Sequence, residues 1–222
     1  MITNVETGFI EVENGRLYYD AAGAGEPLVF VHGFTLDARM WDDQWDVFAR
    51  DYRVVRYDAR GFGRSTTATA PYTHFEDMRA VIKHLNLQRP HVAGLSMGGG
   101  IVLDYAINFP DELSSLTLID STLGGWTRWT EGFRATIQLN DVAERNGLEA
   151  ARAAWYGHPF FDSASEKDGV TERLKSIVDG FSGWHWLNQD VQRPQEQAPA
   201  DRLEGFVPIL EYPGSERPFL HR

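Results

Sequence analysis

The sequence predicts an α/β protein: a mainly parallel sheet covered by helices on both faces, with a helical segment folded over one end. Three observations predict it. Short apolar runs recur along the first 120 residues, and stretches with helical spacing alternate with them, as buried parallel strands and their crossover helices read. One run, His91 to Leu95, enters Gly94-Leu95-Ser96-Met97-Gly98 without a break and leaves it in an apolar helix. After Thr122 the strand pattern stops and aromatic residues concentrate.

Taken in order, Phe9 to Val12 and Leu17 to Asp20 read as a hairpin. Asn14-Gly15 between them suits a type I′ turn, because both residues tolerate positive φ. Pro27 to Val31 is a strand buried on both faces, ending at His32-Gly33-Phe34. Asp37 is placed to cap a helix with Met40, Trp41, Trp45 and Phe48 on one side. Arg53 to Tyr57 is the next strand, and Phe75, Met78, Val81, Ile82 and Leu85 mark a helix. Ile101 to Phe109 continues the helix after Ser96, and Pro110 stops it. Leu116 to Ile119 is a further strand, ending at Asp120.

Residues 123 to about 200 read as helices and loops. Five of the seven Trp fall there (Trp126, Trp129, Trp155, Trp184, Trp186), with Phe133, Tyr156, Phe160, Phe161 and Phe181, so this segment needs an apolar surface to cover. Gln192 to Ala200 is the expected linker back, and Phe206 to Leu210 starts one more strand. The organisation expected is a core of residues 1–122, a helical cap of 123–200 and an incomplete return to the core over 201–222.

Composition bounds the function. With 42% hydrophobic and 24% charged residues, the 222-residue chain has enough apolar side chains for one sizeable core. A net charge of −11 argues against nucleic acid or an anionic membrane as partner. There is no Cys, hence no disulfide, thiolate metal site or cysteine nucleophile, which fits a cytoplasmic protein. Met1 to Glu6 lacks the features of a signal peptide, and no apolar run reaches the roughly 20 residues of a membrane span. No His/Asp/Glu cluster has ligand spacing, so no metal is expected; Arg60-Gly61-Phe62-Gly63-Arg64 lacks the rest of a dinucleotide fingerprint and reads as a turn after a strand, so no cofactor is expected.

The chemistry lies at Ser96. A serine hydroxyl becomes a useful nucleophile only when a base takes its proton and donors hold the developing oxyanion. The G-x-S-x-G spacing sets the serine on a tight strand-to-helix turn, where side chains at Gly94 and Gly98 would collide. The helix beginning at Met97 points free N–H groups at the reacting carbonyl, so Met97 N–H is the first expected oxyanion donor. Phe34 N–H, in the loop after the 27–31 strand, is the second.

These stretches resemble the esterase, 3-oxoadipate enol-lactonase and cofactor-free haloperoxidase branch of the α/β-hydrolase superfamily. The matching residues are Val31-His32-Gly33-Phe34 with Trp41, Asp58-Ala59-Arg60-Gly61-Phe62-Gly63-Arg64-Ser65, Gly94-Leu95-Ser96-Met97-Gly98-Gly99 and Leu118-Ile119-Asp120. The resemblance runs from about residue 8 to about 214. It implies an α/β-hydrolase fold with a cap, Ser96 as nucleophile, and Phe34 and Met97 as oxyanion donors.

The resemblance breaks near the end. The family's late strand leads to a turn bearing the catalytic acid, and a later loop carries the catalytic histidine. Val207 to Leu210 begins that strand, but Glu211 and Pro213 interrupt it. Arg217 stands where the acid is expected, with Glu216 beside it, and the histidine segment is absent, as are the last strand and helix. Three readings remain open: a truncated or frameshifted product, a natural short variant with a rebuilt triad, or a non-catalytic relative. Asp120, Glu216 and His221 are the stand-ins for acid and base. His32 reads as a structural support of its loop, and His91 lies roughly 16 Å from Ser96 at the other end of a strand. His74 and His84 read as solvated, and His158 and His185 as packing residues of the cap.

Two functions follow. One is a serine hydrolase acting on ester or lactone bonds of small apolar substrates through a Ser96 acyl-enzyme. The other is an impaired fragment or non-catalytic small-ligand binder. Loss of the last strand also predicts a homo-oligomer through an exposed sheet edge.

Overall fold

A computed structural model describes residues 4–124, 139–167 and 169–203. The chain opens with a hairpin, β1 (Val5–Val12) and β2 (Gly15–Ala22), longer at both ends than its apolar residues alone indicate. Val12 pairs with Gly15, so the turn residues are Glu13 and Asn14, not Asn14 and Gly15. Only Asn14 takes positive φ, at 57°, so the expected type I′ turn does not form. The pairing register of the strands outweighed the turn preference of the Asn-Gly pair.

The sheet continues with β3 (Glu26–Val31), β4 (Tyr52–Tyr57), β5 (His91–Leu95) and β6 (Ser115–Ile119), in the order β1-β2-β4-β3-β5-β6. β2 runs antiparallel to β1 and β4; the pairs β4-β3, β3-β5 and β5-β6 are parallel. Asp37 caps as expected, accepting from Arg39 N–H, but what it caps is a 3-10 turn, Ala38–Trp41. Helix α1 (Asp42–Phe48) follows that turn. α2 (His74–His84) is capped by Thr73, whose hydroxyl accepts from Glu76 N–H and donates to the Glu76 carboxylate. α3 (Met97–Asn108) ends before Pro110, as expected.

The core lies on both faces of the sheet. One side gathers Val29, Val31, Val55, Tyr57, Met78, Val81, Ile101 and Val102; the other gathers Phe30, Trp41, Trp45 and Val54. Phe30 stacks on Trp41 at 4.6 Å.

Beyond β6 the described elements are helical: α4 (Leu139–Asn146), α5 (Leu148–Tyr156), α6 (Asp162–Ser165), α7 (Val170–Gly180), α8 (Trp184–Leu187) and α9 (Pro199–Arg202). Trp155, Phe181 and Trp186 are buried in the same apolar cluster as the sheet. The 192–200 stretch is not a loose linker. Arg193 pairs with Glu13 and Glu76, Gln195 bonds Asp104 of α3, and Pro199 opens α9. Trp126, Trp129, Phe133 and the expected strand at 206–210 lie outside the described residues. Among the described residues no helix is long and apolar enough to cross a membrane.

Candidate active site

The parallel strands aim their C-terminal ends at one side of the sheet, where loops of an open α/β fold form sites. Val31 of β3 pairs with Gly94 of β5. The loop through Phe34 and the turn through Ser96 therefore leave adjacent strands at the same edge.

Ser96 sits at φ 51° and ψ −112°, a conformation that L-residues avoid, between β5 and α3. Its backbone is tied on both sides. Ser96 N–H donates to Ile119 C=O at 2.9 Å, and Ser96 C=O accepts from Gly100 N–H and Thr122 N–H, both at 3.0 Å. The Thr122 hydroxyl adds a bond to the same carbonyl. The flanking glycines are steric requirements: a Cβ on Gly94 would lie 2.2 Å from Gly98 O, and one on Gly98 2.3 Å from Val31 O. α3 thus starts against the end of β3, which brings Met97 beside the 32–34 loop.

That loop is held by His32. Ala59 N–H donates to His32 Nε2 at 2.9 Å, so the proton is on Nδ1, which donates to Gly33 C=O at 2.8 Å. Leu36 N–H reaches the same carbonyl. In a trans peptide the carbonyl and the following N–H point oppositely, so Phe34 N–H faces away from these donors. Burial lowers the His32 pKa, against the opposing pull of Asp58, and keeps the ring neutral. The structural reading of His32 holds. Among the described residues neither Phe34 N–H nor Met97 N–H donates to a protein group, and the Ser96 hydroxyl has no hydrogen-bond partner.

The 58–65 turn supports this loop from below. Asp58 is buried and accepts from Ala38 N–H and Arg64 N–H, both at 2.8 Å, and burial raises its pKa. Arg60 is buried in a two-pronged pair with Asp77, at 2.8 and 2.7 Å. The glycine-containing stretch 60–64 is a turn, as expected.

A family model described as alpha/beta hydrolase fold matches residues 26–198, more than half of the chain. The chain belongs to the α/β-hydrolase family. A putative non-heme chloroperoxidase of Synechocystis is 38% identical over 100 residues, which are 43% of this chain and 36% of the relative. The (E)-2-((N-methylformamido)methylene)succinate hydrolase of Acinetobacter baylyi is 30% identical over 165 residues, 71% of this chain and 62% of the relative. A solved structure of a thermophilic esterase from Thermogutta terrifontis is 25% identical at a TM-score of 0.66, covering 80% of this chain and 67% of the esterase. The chain spans between 36% and 62% of the length of the two curated relatives.

Within this α/β-hydrolase, none of the six described histidines bonds the Ser96 hydroxyl. His91 stands at the far end of β5, bonded to Ser115 and Glu26. His84 is exposed, as expected. His74 corrects the expectation of a solvated side chain: it is buried, meets Tyr72 OH at 3.2 Å, and burial pushes its pKa down to about 3. Tyr72 also donates to Asp190, which lies far along the chain and draws this face inward. His158 packs on Phe160 and Trp155. His185 stacks on Phe62 at 4.2 Å in the space left by Gly61, where a Cβ would fall 2.4 Å from its ring. It packs as expected, but both its nitrogens are buried and make no hydrogen bond among the described residues, and burial lowers its pKa to about 4.

Asp120 is exposed at φ 43°, and among the described residues its carboxylate caps nothing; Thr122 closes the turn onto Ser96 instead. Glu216, Arg217 and His221 lie outside the described residues. Among the described residues no group of His, Asp and Glu has the arrangement of a metal site.

Proposed function

We propose that this chain is a serine hydrolase acting on ester or lactone bonds of small apolar substrates. Ser96 Oγ attacks the carbonyl carbon, its proton passes to the leaving alcohol oxygen as that C–O bond breaks, and water then adds to the Ser96 ester, returning a proton to Oγ and releasing the acid. Phe34 N–H and Met97 N–H hold the oxyanion, and residues 123–200 cap the substrate. The observation that carries this reading is a strained serine whose turn leaves the strand next to the Phe34 loop, with Phe34 N–H and Met97 N–H both without a protein acceptor among the described residues. An apo oxyanion hole needs donors with no protein partner. The named activities of the relatives, a hydrolase and an esterase among them, support the reaction class.

One observation favours the second reading, an impaired or ligand-binding relative. No described histidine serves Ser96, and His221 is the one histidine left in the chain. Losing the base of a serine triad costs roughly a factor of 10⁶ in kcat and leaves about 10³–10⁴ over water. Hydrolysis of a panel of p-nitrophenyl esters and lactones, with Ser96→Ala and His221→Ala beside the wild type, separates the two. Turnover lost in both variants identifies His221 as the base. Turnover at the Ser96→Ala level in the wild type rejects the enzyme.

A further inference from the structure

We propose that Trp155, on the helical segment, is a positioning residue for the oxyanion loop. It clamps the Phe34–Thr35 peptide and so makes docking of the helices a condition for a formed oxyanion hole. This rests on the serine-hydrolase reading.

The clamp is a relay of two hydrogen bonds. Trp155 Nε1–H donates to Thr35 Oγ1 at 2.5 Å, and the Thr35 hydroxyl donates to Phe34 C=O at 2.6 Å. Both side chains are buried, so neither bond competes with bulk water. Thr35 has φ 64°, and a β-branched residue is costly there. Such a conformation persists only where its surroundings over-determine it. Here Gly33 C=O is tied by His32 and Leu36 on one side of Phe34, and Phe34 C=O by Thr35 on the other. The first tie comes from the sheet core. The second ends on α5, 120 residues along the chain.

The Phe34 ring is gripped by the same partners. It meets Trp155 at 6.3 Å, Phe181 at 5.8 Å and His185 at 5.9 Å, all edge to face, with Phe62 of the core at 5.7 Å. Three of the four neighbours belong to the helical segment. If the helices lift, Thr35 loses its only side-chain donor among the described residues, and the strained peptide relaxes. Phe34 N–H is then held from the Gly33 side alone, through His32 and Leu36, and its direction is less tightly fixed.

The test uses the 222-residue chain with Trp155→Phe, which keeps ring packing and deletes the N–H, and Thr35→Val, which keeps the β-branch and deletes the hydroxyl. Thr35→Ser is the conservative control. In ester hydrolysis, Trp155→Phe and Thr35→Val each lower kcat about tenfold, with KM changed less than about twofold; the double variant is no worse than either, and Thr35→Ser stays near wild type. Additive losses, or a loss confined to KM, overturn the clamp. The amide resonance of Phe34 is read in the same proteins by ¹H–¹⁵N NMR. It moves in Trp155→Phe if the clamp exists, and its staying in place overturns the clamp. A wild-type chain without Ser96-dependent turnover rejects the hydrolase reading alone, and the Phe34 resonance then decides the clamp.

Discussion

Two buried histidines separate the two halves of this molecule. His32, in the loop after β3, has both ring nitrogens bonded, one to Gly33 and one to Ala59. His185, where α8 meets the core, has neither bonded among the described residues, with Asp190 Oδ2 at 4.0 Å. The elements around His32 come from the first 122 residues, and their hydrogen bonds fix backbone directions at the site. Those around His185 meet through aromatic stacking, which is strong but less directional. The core half is specified by bonds at short range. The helical half adds bonds of its own, such as Trp155 to Thr35 and Gln195 to Asp104. At the His185 seam, however, it meets the core by ring packing and, among the described residues, leaves the imidazole unbonded.

The comparison breaks most visibly at the elbow. Gly98→Ala puts a methyl group 2.3 Å from Val31 O, a backbone atom that cannot yield without moving β3. The expected outcome is loss of soluble folded protein or a fall in Tm of more than about 10 °C by calorimetry. Next comes His32→Ala. It strands a buried Ala59 N–H and removes one donor from Gly33 C=O, and should cost about 2–4 kcal/mol in urea unfolding.

His185→Phe should do far less at pH 7.5, within about 1 kcal/mol, because the stack on Phe62 survives and no hydrogen bond is lost. Its effect belongs to acid. The folded protein holds the imidazole neutral down to about pH 4, whereas the unfolded chain takes up the proton near the ordinary 6.5. Folding stability is therefore full above pH 6.5 and falls as pH drops from 6.5 toward 4. The variant should flatten that fall, read as the pH dependence of Tm. Equal acid lability in variant and wild type would remove His185 from the account.

The contrast also marks what was legible in the sequence. Ser96, its glycines and the His32 loop were readable because their constraints are local: a strand, a tight turn and a helix start within ten residues. That the sheet is mainly parallel followed from apolar runs alternating with helical stretches; the strand order needed the structure. His74 was misread because its burial depends on Asp190 and Tyr72, which only the fold brings together. The Trp155–Thr35 bond left no trace, since a Trp in an aromatic-rich stretch has no pattern that names a partner 120 residues away. Gly61 was read as a turn residue. That it also makes room for His185 needed the packed structure.

The central claim is that Ser96 is a nucleophile with a formed oxyanion hole. Intact-mass analysis of the folded chain after exposure to a fluorophosphonate tests it most directly. The account predicts one adduct per chain, mapped to Ser96 and absent from Ser96→Ala. Folded wild-type protein that stays unmodified, or an adduct that survives Ser96→Ala, would contradict it.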